Sequence, residues 1–209
     1  MKNFEKNVFI NCPFDPDYRQ LLITLIFTIK DIGYIPRISL ENANSAETRI
    51  LKILDLIKES KFGIHDLSRL KSTDKDEHFR MNMPFELGID YGCMKYKNGK
   101  WSEKKLLVLE KEQYRYQAAL SDFSGSDIRH HNDKPMELIK EVRDWFVVTE
   151  GLKKAESHRN IWYRFNDFIA DLEINLAQQG YEKDDFETVP IPEVMTYMYE
   201  WLNENHIAE

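Results

Sequence analysis

Chemistry first suggests itself in the segment Met-Pro-Phe-Glu-Leu-Gly, residues 83–88. Glu86 lies two residues after Pro84, which suits the first turn of a helix, and two before Gly88, which lets a backbone or a ligand come close. A carboxylate so placed can face a cleft, where it stabilises positive charge developing at a sugar's anomeric carbon or attacks that carbon to form an ester. The plainer role for the same side chain is to complement the helix dipole, worth a few tenths to about 1 kcal/mol. Amides at this helix start would also hold an anionic group such as a phosphate.

Other polar side chains gather just after short apolar runs. Asn11, Cys12, Phe14 and Asp15 follow the first run, Arg37 and Glu41 the second, and His65, Asp66, Ser68 and Arg69 the third, while Asn82 and Phe85 flank the approach to Glu86. Open parallel sheets bind ligands at the carboxyl ends of strands, near the point where strand order reverses, so these groups are expected to converge around Glu86 as a substrate site. Each also has an ordinary reading: Asp66 as a turn cap, Arg37 as the partner of Glu41, His65 as a satisfied structural histidine. Tyr114 and Tyr116 would either stack on a base or add apolar area. The run Arg129-His130-His131 has no carboxylate or cysteine at ligand spacing beside it, so no metal is assigned. Cys12 has no identifiable partner histidine and reads as a small buried hydrophobe.

The elements that must hold these residues follow from periodicity. Val8 to Cys12 reads as a buried strand ended by Pro13. Leu21, Leu22, Leu25, Ile26 and Ile29 recur at helical spacing before Gly33. Tyr34 to Leu40 is a second strand. Asn44 with Glu47 forms a capping box for a helix that carries Ile50, Ile53, Leu54 and Ile57 on one face. Phe62 to Leu67 is a third strand, 68–81 a charged surface loop, Asn82 to Lys97 a helix, and Leu106 to Glu110 a fourth strand. Such alternation predicts a doubly wound, mainly parallel α/β sheet across residues 1–150, with one more strand gained after residue 110. Leu138, Ile139, Val142 and Trp145 mark a helix over 136–148. The remainder, 151–209, reads as a helical extension with pieces at 161–179 and 191–205, packed on the α/β domain.

Composition narrows the classes. A chain of 209 residues with 42% hydrophobic content builds one main domain with a sizeable core. A net charge of -7 with both signs scattered argues against a general grip on duplex nucleic acid, which needs a basic face. There is no apolar stretch of membrane-spanning length and no signal-peptide run, so a cytoplasmic protein without a membrane partner is expected. Cys12 and Cys93 are too few for a disulfide framework and read as reduced thiols.

Three segments together resemble a known superfamily. They are Val-Phe-Ile-Asn-Cys-Pro-Phe (8–14), Ile-His-Asp-Leu-Ser-Arg (64–69) and Met-Pro-Phe-Glu-Leu-Gly-Ile-Asp-Tyr-Gly (83–92). The chain resembles, over roughly its first 110 residues, the nucleoside 2-deoxyribosyltransferase-like and TIR-like proteins, especially bacterial TIR-like proteins of antiphage defence. The resemblance implies a flavodoxin-like fold and makes Glu86 the catalytic carboxylate: a nucleophile toward the sugar in the transferases, a support for NAD cleavage at the nicotinamide ribose in catalytic TIR domains. It makes Asp66 a ribose or base contact and puts Phe14 and Phe85 beside the base. NAD or another nucleotide enters as substrate, with no separate cofactor. The activities implied are an NAD glycohydrolase or cyclase, a nucleoside or nucleotide ribosyl hydrolase or deoxyribosyltransferase, or a nucleotide-sensing or protein-interaction module without catalysis, with a second copy or a defence-system protein as partner. Asn82-Met83-Pro84-Phe85 departs from the small polar residue and glycine that transferases place before the glutamate. Asn-Cys-Pro-Phe-Asp likewise departs from the serines of a familiar TIR opening.

Overall fold

A computed structural model of the chain describes residues 3–41, 44, 46–69, 81–113, 120–123, 126–153 and 155–205. Tyr114 and Tyr116 lie outside them. The elements run β1 (Asn7–Asn11), α1 (Arg19–Asp31), β2 (Ile35–Arg37), α2 (Arg49–Glu59), β3 (Phe62–Asp66), α3 (Asn82–Tyr96), β4 (Lys105–Glu110), β5 (Arg129–His130), α4 (Pro135–Glu150), α5 (His158–Gln178) and α6 (Ile191–Asn205). All strand pairings are parallel, in the order β2-β1-β3-β4-β5, so the chain reverses its direction of travel between β1 and β3. This is a doubly wound α/β fold with C-terminal helices.

Both sheet faces are covered, and the strands alternate between them. Val8 and Ile10 point into a large core shared with α1 and α4, while Phe9, between them, meets Ile53, Leu56 and Ile57 of α2. Leu107 and Leu109 of β4 join the first face, and Val108 packs with Leu67, Met83 and Leu87 on the second. Two apolar faces on every central strand produce the nearly unbroken apolar runs of the sequence.

α1 is buried nearly all round because it lies between the sheet and a further layer made by α5 and α6. Phe27 stacks on Phe168 at 5.6 Å and stands 6.2 Å from Trp201. The Asp31 carboxylate accepts two hydrogen bonds from Arg164, at 2.9 and 2.7 Å, tying α1 to α5. Trp201 also donates to Asp171 at 2.7 Å, so the C-terminal aromatics pack within the chain. Among the described residues no helix is long and apolar enough to cross a membrane.

Two expected boundaries are corrected. The second strand covers only Ile35–Arg37, because Pro36 has no N–H to donate and suits an edge strand. The chain then turns as Glu41 accepts from the Ile38 amide at 2.6 Å. Asn44 and Glu47 do not form a capping box for α2. Asn44 instead accepts from the Ala46 amide at 3.1 Å in a local turn, and the helix begins at Arg49 behind Thr48. The buried face of α2 is Ile53, Leu56 and Ile57, with Ile50 and Leu54 on its exposed shoulder. The additional strand expected after residue 110 is present as the two-residue β5.

Candidate functional site

The reversal between β1 and β3 leaves a cleft of about 420 Å³ at the carboxyl end of the sheet, within the range that small-molecule sites occupy. Its walls are Cys12, Pro13, Phe14 and Asp15 after β1, Arg49 at the first turn of α2, and Asn82 and Met83 at the start of α3. Three chain segments far apart in sequence therefore meet around one opening.

Glu86, one turn into α3, stands behind this wall, paired with its Arg49, and its side chain is only 5% exposed. Among the described residues its ion-pair partner is Arg49, whose Nη2 lies 3.3 Å from Glu86 Oε1 and whose side chain is 49% exposed. The Arg49 guanidinium also stands 5.9 Å from the centre of the Phe14 ring. Burial pushes the Glu86 carboxyl above its ordinary value, and the charge of Arg49 only partly offsets this. Burial also pushes the Cys12 thiol up, assisted by the charges of Asp66, Glu86 and Asp15, which disfavours its thiolate form.

Asp66 has a different setting. It is fully buried and accepts from Tyr18 Oη at 2.5 Å, from the Ser68 amide at 2.9 Å and hydroxyl at 2.5 Å, and from His131 Nε2 at 3.0 Å. Burial alone would raise its carboxyl, but His131, Ser68 and Tyr18 together hold it down at about 2. The Asp133 amide donates to His131 Nδ1 at 3.1 Å, which leaves the ring proton on Nε2, facing Asp66. Asp66 thus ties β3 to the loops after β1 and β5.

A second buried network clamps α3 to the sheet. Asn11 Nδ2 donates to the Met83 carbonyl at 2.9 Å and to His65 Nδ1 at 3.1 Å. With Nδ1 accepting, His65 Nε2 carries the proton toward Asp90 Oδ2 at 3.2 Å. Lys104 Nζ stands 3.1 Å from Asp90 Oδ1 and also donates to the carbonyls of Ile57 and Ser60. Gly63 is required here, since a Cβ at that position would collide with Asp90, Leu106 and His65. Asp90 follows Glu86 by four residues and shares its helix face, so the clamp also sets where Glu86 stands.

The structure sorts the expected site residues. Phe14, Asp15 and Asn82 line the cleft, and Glu86 lies beneath Arg49. Arg69 stands with its Nε 3.8 Å from Oδ1 of the cleft residue Asp15. Asn11, Asp66 and Ser68 are buried behind the cleft in the two networks. Arg37 is not brought there: it pairs with Glu41 at 2.9 Å and Glu59 at 3.3 Å, beside a separate depression that also contains Lys52 and Asp55. Phe85 is not packed beside Phe14 either. The helix turns by about 100° between residues 85 and 86, which buries Glu86 and leaves Phe85 60% exposed.

Sequence reasoning missed Arg49, Tyr18, Asp90, Lys104 and His131. Arg49 had a usable signal, as a basic residue at the start of the helix after the second strand. Among the described residues no three His, Cys, Asp or Glu side chains gather as a metal site needs. Compared with known protein families, with curated proteins and with solved structures, the chain matches none.

Proposed function

We propose that this chain cleaves the bond between a ribose and a nucleobase in the cleft between β1 and β3, with NAD as substrate and Glu86 as the catalytic carboxylate. The reading rests on the resemblance to TIR-like and deoxyribosyltransferase-like proteins and implies a place in antiphage defence. One observation carries it: a buried glutamate near the topological switch point whose ion-pair partner, among the described residues, is a half-exposed arginine on the cleft wall. A buried acid with little compensation beside a cleft is a functional-site candidate.

Nicotinamide is joined to ribose through a positively charged ring nitrogen. When the C1′–N bond breaks, its electron pair neutralises the ring, so the base leaves without a proton. The ribosyl carbon left behind becomes cationic, and an ionised carboxylate in a low-dielectric setting stabilises it strongly. Water then adds to C1′ and releases a proton to solvent; in cyclisation a nitrogen of the same nucleotide takes the place of water. Phe14 offers the base an aromatic face.

The test is incubation with NAD, nucleosides and nucleotides, with released base detected by mass. Glu86→Gln is expected to lower turnover about 10³-fold, the scale of removing one group that stabilises transition-state charge. Full activity in that variant defeats the assignment. Release of base from nucleosides in preference to NAD would favour a ribosyl hydrolase or transferase. A second reading, a nucleotide-sensing module, draws on the same ion pair, since Arg49 occupies the carboxylate; tight nucleotide binding without turnover is its signature.

A further inference from the structure

We infer that Arg49 is the specificity residue of the cleft: it exchanges Glu86 for a substrate phosphate, so the site accepts phosphorylated ribosides and discriminates against nucleosides that lack the phosphate. This rests on reading the cleft as a ribosyl site and adds the chemical class that enters it. Arg49 joins the two halves of the problem. Its side chain is half-exposed on the cleft wall, and a single nitrogen, Nη2, makes its ion pair with Glu86 among the described residues. A guanidinium has five N–H donors in a planar fork suited to phosphate oxygens.

The other arginine near α2 shows what a committed pair is. Arg37 is held by two carboxylates, with Nε 2.9 Å from Glu41 and Nη1 3.3 Å from Glu59. Arg49 has one carboxylate at 3.3 Å and the Phe14 ring at 5.9 Å. Neither α2 nor α3 carries an acidic residue in its first turn, so the amide ends of both helices leave a field favourable to an anion beside the cleft. Asp15, on the same wall, opposes an anion, and Arg69 Nε lies 3.8 Å from its carboxylate.

The exchange conserves charge pairing. While Arg49 is bound to Glu86, the carboxylate is neutralised and cannot serve a developing ribosyl cation. A phosphate gives Arg49 a new anionic partner and passes Glu86 to the sugar, whereas a nucleoside without a phosphate has no anionic group that can make this swap. A site built to bond a substrate group discriminates against an analogue that lacks it, because the polar residue is otherwise left badly paired.

Nicotinamide mononucleotide and nicotinamide riboside differ only in the 5′-phosphate and serve as probes. Calorimetric titration of the intact protein is expected to show the mononucleotide binding about ten- to hundredfold more tightly, the range for hydrogen bonds to a charged group. Arg49→Gln closes this gap by weakening the mononucleotide alone, and Arg49→Lys keeps part of it. Glu86→Gln tightens the mononucleotide only while Arg49 is present, which separates partner exchange from simple repulsion in a double-mutant cycle. Equal affinity for the two probes, binding of neither, or a gap that survives Arg49→Gln overturns the inference. Turnover is a separate readout: binding that follows Arg49 without base release in any assay defeats the proposed catalysis and leaves this inference standing.

Discussion

Asp66 and Glu86 are both buried acids beside the same cleft, and their surroundings are opposite. Asp66 accepts from Tyr18, His131 and both donors of Ser68, and its carboxyl is held at about 2. Glu86 has Arg49 on one side, and burial pushes its carboxyl upward. Full satisfaction marks Asp66 as a fastening among three loops. The unmet desolvation of Glu86 is tolerable only if something is gained from it elsewhere, and reaction chemistry is the gain that fits. The family resemblance implied a ligand contact for Asp66 and catalysis for Glu86. The hydrogen bonds of Asp66 suit a structural acid, while catalysis by Glu86 is the proposal that the variants below test.

The largest stability effect should come from opening the Asp66 network. Asp66→Asn is expected to lose about 3 kcal/mol in denaturant unfolding, the scale of losing a hydrogen bond to a buried charged group and leaving its donors unpaired. The wild-type contribution is fully present above the ordinary carboxylate value and disappears as pH falls toward 2; the Asp66→Asn variant lacks that slope. If the variant unfolds like wild type, Asp66 is not the fastening described and the contrast with Glu86 collapses.

Glu86→Gln should act in the other direction, gaining about 1 kcal/mol at neutral pH while losing turnover. A raised folded-state carboxyl means that the ionised form is disfavoured in the fold. Wild-type stability therefore falls as pH rises from the ordinary carboxylate value through the raised one, and the Glu86→Gln variant shows no such fall. Thermal melts of both proteins across that window measure the difference, and destabilisation by Glu86→Gln would place Glu86 with the structural acids. The smallest effect belongs to Arg37→Gln. Its exposed ion pairs are worth at most about 1 kcal/mol, and nucleotide affinity should not change, since Arg37 is outside the cleft.

Much of the fold was legible because it is written locally. Apolar runs bounded by Pro13 and Gly33, and the helical spacing of Leu21 through Ile29 or Leu138 through Trp145, carry their structure in neighbouring residues. Short, mixed segments were less readable. β2 shrank around Pro36, and the start of α2 moved beyond Asn44, because single side-chain bonds within a turn decide such boundaries.

In the site, local pattern was enough to mark Glu86 at a helix start and Asn11, Asp15 and Asp66 at strand ends, since spacing along one element specifies which end a residue occupies. It did not tell which acid would be satisfied. That depended on pairs distant in sequence, Asp66 with His131 and Arg49 with Glu86, brought together by strand order and register. Burial and partners set the energy of a charged group, and both exist only once the chain has closed on itself.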